Sequence, residues 1–313
     1  MLKPATAEAR YQRYMAHDAH QGCFDADPLF NAIDANDGVT DFTNVRRGLV
    51  QVTLTIPANI TIDDLPGATT LNVWRKVPSI EDVAFRAPYQ LDGRAETLQI
   101  QALGAARVHS QVTVDPPTSV LDALAAFQLT QFSNRRARMV GMALATSQTP
   151  PSPFPSDDEL NAQELRGKAV FAQKCVGCHG GASMTEFDPA LATQRFHNIM
   201  SNLSATRNAA NLKTHTIRCT NPDGSILVRT GRPDPGRGFV TGVCNDISRF
   251  EARSLYNVVN HAPYFHDGSA NTLEDVMATY NQFFFTLPAT LQKFGPPMSD
   301  ADTADVIAFV KRL

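Results

Sequence analysis

One phrase occurs twice in this chain, and the repetition limits what the chain can fold into. HAPYFHDGSANTL (261–273) restates RAPYQLDGRAETL (86–98). Ser254 pairs with Ser79, Leu255 with Ile80, Val258 with Val83 and the Ala262-Pro263-Tyr264 block with Ala87-Pro88-Tyr89. Asp267-Gly268 pairs with Asp92-Gly93 and Thr272-Leu273 with Thr97-Leu98, always 175 positions apart and without a gap. An ungapped internal repeat has to be placed before any fold is assigned. The ends of the two halves also match. TSVLDALAAFQLTQF (118–132) and SDADTADVIAFVKRL (299–313) each open on a capping Ser or Thr and continue with apolar residues at helical spacing. PPSPFP (150–155) is a stiff connector between the halves. The expectation is a mainly α protein of two similar domains, 1–149 and 150–313, in a pseudo-twofold repeat. A length of 313 residues suits two such units. The first also carries short β-strands in RGLVQVTLTIPANITI, where Val50, Val52, Leu54 and Ile56 alternate with polar residues.

Chemistry is concentrated in KCVGCHGG, a C-x-x-C-H motif. Cys175 and Cys178 are spaced to form thioethers with the two vinyl groups of one haem, and His179 then lies beneath the iron as its proximal ligand. A zinc site would need a second cysteine pair and a dithiol redox centre a surrounding βαβ pattern; neither is present. Ser156 with Glu159 reads as a capping box for a helix through NAQELRGKAVFAQ that delivers the motif. The first half has no such motif: its one cysteine, Cys23, is followed by Phe-Asp-Ala. Its copy either lies upstream of these residues or has been lost.

Thioether attachment takes place outside the cytoplasm, so a periplasmic protein is expected, with an export leader ahead of the polar opening MLKPATAEARYQRYMAHDAHQ. An oxidising compartment also permits a bridge between Cys219 and Cys244, which would stabilise by about 3–4 kcal/mol on a loop-entropy estimate. The Gly- and Pro-rich segment between them reads as a long irregular loop. A net charge of −3 offers no basic face for nucleic acid, and no run of 18 apolar residues predicts a membrane span. There is no G-x-S-x-G, Walker loop or strand-led G-x-G-x-x-G.

ELRGKAVFAQKCVGCH, FEARSLYNVVNHAPYFHDGSANTLEDVMATYN and SDADTADVIAFVKRL together resemble the bacterial di-haem cytochrome c peroxidases. They also resemble the related di-haem enzymes that oxidise protein tryptophans during methylamine-dehydrogenase maturation. The likeness runs from about Asp27 to the C-terminus. It implies two haem c groups, one attached in this chain and a second expected in the first domain. The N-terminal haem of such proteins takes hydrogen peroxide. The C-terminal one takes electrons from a small redox protein, a cytochrome c or a cupredoxin. A calcium ion between the halves and a homodimer are also implied.

By this resemblance Cys175, Cys178 and His179 form the C-terminal haem site, and His266 lies near the haem without ligating it. The distal ligand stands fourteen residues after that histidine, which lands on Tyr280, as in the tryptophan-oxidising branch. Met298 ranks second and Met277 third, because a methionine is more often core than ligand. In the first half Gln101 matches a glutamine of the peroxide pocket. Gln111 stands where the family has its acid–base glutamate, and nearby His109 is the group able to move a proton. Leu91 replaces a relay tryptophan, and Trp74 reads as core. His261 and Pro263 offer carbonyls to the calcium, with Lys76 at its asparagine position. The expected activity is peroxide reduction by a haem c oxidoreductase. The alternatives are a mono-haem electron carrier with a degenerate first domain, or a tyrosinate-ligated enzyme oxidising a partner protein.

Overall fold

The computed structural model describes residues 49–109, 112–185, 195–199, 214–286 and 295–313. Cys23, Gln111 and the start of the family resemblance at Asp27 lie outside them. The described residues are mainly helical. The helices are α1 (Leu98–His109), α2 (Thr118–Leu129), α3 (Arg135–Ala145), α4 (Ala162–Lys174), α5 (Val176–His179), α6 (Gly238–Thr241), α7 (Leu273–Thr286) and α8 (Asp300–Val310). The strands are β1 (Leu49–Thr55), β2 (Ile60–Ile62), β3 (Thr70–Lys76), β4 (Phe196–His197), β5 (His215–Thr220), β6 (Ile226–Arg232) and β7 (Phe250–Glu251).

Strands are therefore not confined to the first half. The segment between Cys219 and Cys244, expected to be irregular, folds in large part as the β5–β6 hairpin. Asn-Pro-Asp-Gly supplies its turn, where Gly224 takes φ +81° and the Asp223 carboxylate accepts from the Ser225 N–H at 2.9 Å. The cysteines at its two ends are bridged.

The two halves are built into each other. β2, from the first, pairs antiparallel with β5, from the second, with Ile60 opposite Cys219 and Ile62 opposite Ile217. Around them Leu54, Leu71, Val73, Phe239 and Ile247 form one buried core. A second core joins Phe85, Ala137 and Val140 of the first half to Phe171, Tyr256, Leu273, Val306 and Phe309 of the second.

Inside that core α8 lies directly on α4. A Cβ at Gly167 would stand 1.9 Å from the Asp305 carbonyl, so a glycine there permits the approach. Phe171 and Phe309 then meet edge-on at 5.4 Å, and Arg166 grips the Asp305 carboxylate at 2.7 Å from its Nε. The Ser156–Glu159 box caps only a 3-10 turn, Asp157–Glu159. α4 starts at a second box, in which the Asn161 side chain accepts from the Glu164 N–H and the Glu164 carboxylate from the Asn161 N–H. Ser299 caps α8 as expected, whereas Thr118 lies inside α2 behind Pro117 and caps nothing.

The repeat survives in three dimensions. Each copy opens with a left-handed residue, Asp82 (φ 58°) or Asn257 (φ 52°), followed by a 3-10 turn, Val83–Phe85 or Val258–Asn260. Both then have a cis proline, at Pro88 and Pro263, and a positive-φ residue, Gln90 or Phe265. Tyr89 bridges Ala95 and Tyr264 bridges Ala270. A helix starts at Leu98 in one copy and Leu273 in the other.

Candidate functional site

α4 ends where the motif begins. The Cys175 N–H still donates to Phe171 O at 2.8 Å, and the N–H groups of Cys178 and His179 turn back onto Cys175 O at 3.0 and 2.8 Å. This one-turn continuation, α5, brings Cys175, Cys178 and His179 to one wall of a cavity of about 210 Å³. His179 is buried, and its Nδ1 donates to Met184 O at 3.3 Å, which leaves Nε2 as the basic nitrogen. Burial pulls the imidazole down to about 4, although the Met184 and Arg253 carbonyls favour its protonated form. It is thus neutral at physiological pH, the state in which imidazole ligates a metal. Burial, with Cys178 alongside, pushes the Cys175 thiol up to about 12.

α7 supplies the other wall. Thr272 and Asp275 cap its start reciprocally: the Asp275 carboxylate accepts from the Thr272 N–H at 3.1 Å and Thr272 Oγ1 accepts from the Asp275 N–H at 3.1 Å. From there Met277, Tyr280 and Phe284 fall on one face by the three- and four-residue spacing and all line the cavity. Met298 lines it too, held by Asn281, whose Oδ1 accepts from the Met298 N–H at 2.8 Å. All three candidate distal ligands therefore share the cavity of His179. They differ in chemistry. Burial, with Cys178 and Cys175 nearby, holds the Tyr280 phenol well above the ordinary tyrosine range. It would ligate as phenolate only where a cation draws off its proton, whereas a thioether sheds none.

His266 is also on the cavity wall, buried, with its ring stacked on Phe250 at 3.8 Å between centroids. Leu91, from the first copy of the turn, reaches the same cavity, and its carbonyl accepts from the Glu251 N–H at 2.9 Å. Trp74 is core, packed with Leu49. Gln101 lies on α1 away from this cavity, and His109 ends that helix about 12 Å further along its axis at 1.5 Å per residue.

His197 and Arg253 line the cavity as well, and the sequence motifs did not point to them. Burial, with His179 and Arg249 alongside, pulls His197 down to about 4. Arg253 is drawn down to about 9 by burial and by Arg86, and so keeps its charge at neutral pH. Arg86 itself pairs with the buried Glu251 at 3.0 Å, as Arg195 does at 3.2 Å.

The residues present fit a covalently held haem. Two thiols and a neutral imidazole share one wall, and Phe171, Leu255, Val258, Phe283 and Val310 give apolar flanks. The Arg253 guanidinium is available to the haem carboxylates. The calcium of the resemblance is not accommodated in the same way. The Lys76 ammonium donates to both carbonyls meant for it, those of His261 and Pro263, the latter at 2.6 Å.

No family model matches the chain. It is 30% identical over 163 residues to the cytochrome-c peroxidase IdrP1 of Denitromonas iodatirespirans, across 49% of this chain and 41% of that one. It is 27% identical to the cytochrome c551 peroxidase of Pseudomonas aeruginosa, across 76% of this chain and 64% of that one. To the methylamine utilization protein MauG of Methylorubrum extorquens it is 25% identical, with the same 76% and 64% coverage. The chain thus spans between two fifths and two thirds of the length of these relatives.

Proposed function

We propose that this chain, similar to cytochrome c peroxidases and to MauG, is a periplasmic haem c oxidoreductase of the di-haem cytochrome c peroxidase type that helps to reduce hydrogen peroxide with electrons from a small redox protein. The carrying observation is the convergence of Cys175, Cys178 and His179 on one largely apolar cavity with Tyr280, Met298 and Met277. Bound there, a haem c supplies an iron that takes up and releases one electron at a time. Cys175 and Cys178 would hold it by thioethers and His179 Nε2 would ligate its iron, while the Met184 carbonyl fixes the ring tautomer. Peroxide reduction consumes two electrons and two protons and yields two waters. We assign the proton-handling role to His109 of the first half, because the amide of Gln111 cannot exchange a proton. The Cys219–Cys244 bridge supports an oxidising compartment.

A second reading, a tyrosinate-ligated enzyme acting on a partner protein, is favoured by the place of Tyr280 on the cavity wall. The tests separate the readings. A pyridine haemochrome assay should find one haem per copy of this chain, and finding none would remove the basis of the proposal. Peroxide turnover by the haem-loaded protein with a reduced donor cytochrome should be measurable; its absence would favour an electron carrier. Tyr280→Phe should shift the visible spectrum if the phenolate ligates, and Met298→Leu should do so if the thioether does.

A further inference from the structure

β3 ends in two consecutive residues, and each holds one copy of the repeated turn. Successive side chains on a strand point to opposite faces. Arg75 accordingly reaches Asp92 of the first copy at 2.5 Å and also Asp234 at 2.7 Å. Lys76 turns to the second copy. Its Nζ donates to the carbonyls of His261 and Pro263, at 2.6 Å for the latter, and its backbone N–H donates to His266 O at 2.7 Å.

The groups around that ammonium do not suit a divalent ion. Calcium takes six to eight oxygen ligands, carboxylates prominent among them. Here the 3-10 turn presents His261, whose Nε2 lies 3.1 Å from Glu81 Oε2, so the nearby carboxylate is already engaged. The segment after β7 presents Arg253, a cation close enough to depress Lys76, which burial and this neighbour draw down to about 8. An ion entering would meet two positive charges and two carbonyls already used. Among the described residues no group of three or more His, Cys, Asp or Glu is placed to hold a metal.

We infer that Lys76 is a tethered replacement for a metal ion: its ammonium supplies the positive charge that fastens residues 261–266 to β3, and this junction takes up no calcium. A bound ion is lost by dilution or chelation, but a lysine is not. The coupling between the halves is thereby made independent of the calcium supply. Because Tyr264, Phe265 and His266 also line the haem cavity, the same contact positions one of its walls.

The test uses the full, haem-loaded chain. The unfolding temperature and visible spectrum of the unaltered protein should be the same in EDTA and in millimolar calcium; a fall in EDTA or a rise with calcium would overturn the inference. Lys76→Met, which keeps length and removes charge, should lower the unfolding temperature by roughly 3–8 °C and shift the haem reduction potential. Lys76→Arg should recover at least half of both effects. A Met variant indistinguishable from the parent, or an Arg variant as damaged as the Met one, would show that the charge does not fasten the junction. The calcium comparison needs no variant, so a substitution that fails to fold leaves the inference testable.

Discussion

At Asp92 the first copy of the turn is clamped by charge, whereas at Asp267 the second is held by packing and main-chain bonds. Both aspartates are fully buried. Asp92 faces Arg75 at 2.5 Å and Arg94 at 3.4 Å. Asp267 accepts from the Ser269 N–H at 3.1 Å, and the His266 ring nitrogen Nδ1 lies 4.0 Å away. One backbone can thus be fixed by two kinds of force. The first copy's aspartate sits in an ionic network, whereas the second copy's takes a main-chain bond and the charge that holds its turn is the Lys76 ammonium on the His261 and Pro263 carbonyls.

The contrast can be broken at three points. Asp92→Ala removes one of the two carboxylates on buried Arg75, leaving Asp234, and should cost about 3 kcal/mol, read by chemical denaturation, while Asp267→Asn should cost about 1 kcal/mol. Equal costs would mean that the ionic clamp is no stronger than the packing. The glycines should differ by less. A Cβ at Gly93 (φ +72°) would lie 2.5 Å from both the Arg237 guanidinium and the Phe196 ring. At Gly268 (φ +65°) the nearest atoms are Pro263 Cγ at 3.2 Å and Leu49 Cδ2 at 3.3 Å. Gly93→Ala should therefore destabilise by about 3 kcal/mol and Gly268→Ala by about 1–2 kcal/mol, as measured by thermal unfolding.

The smallest effect is one of pH. His197 sits near 4 in the folded protein against 6.5 for a free histidine, because burial and His179 disfavour its charge. Its contribution to stability is present above about 6.5 and is lost as pH falls from there to about 4. Burial raises Asp234, but Arg75 outweighs it and holds the carboxylate below its usual range. That contribution is present above the ordinary aspartate value and goes only at lower pH. In an acid titration the visible spectrum should change before the far-ultraviolet dichroism does. The reverse order would show that the ionic clamp is the first to yield.

These contrasts were unevenly legible in the sequence. The offset of the two phrases announced the repeat because every turn residue kept its number. The motif fixed Cys175, Cys178 and His179 because thioether chemistry demands that spacing. The Lys76 bond joins residues 185 apart, and no local pattern reports such a meeting. His197 lies on a two-residue strand, too short to show any periodicity. The β5–β6 hairpin was masked by the prolines and glycines around it, although Ile226, Leu227 and Val228 signal a strand. Ser156–Glu159 was a true capping box on the wrong element, since a second box follows five residues later.

The cysteines carry one more consequence. Two of the four described must remain thiols until a haem is joined to them, and the other two must already have lost their hydrogens to each other. A maturing polypeptide faces these opposite demands in the same compartment, where one wrong exchange would ruin both sites. The fold keeps the pairs in different cores, Cys219 and Cys244 beneath the β2–β5–β6 sheet and Cys175 against the helices. With the sheet in place both bridged sulfurs are buried, and since exchange needs a thiolate to reach a disulfide sulfur, this burial shields the bridge from Cys175 and Cys178.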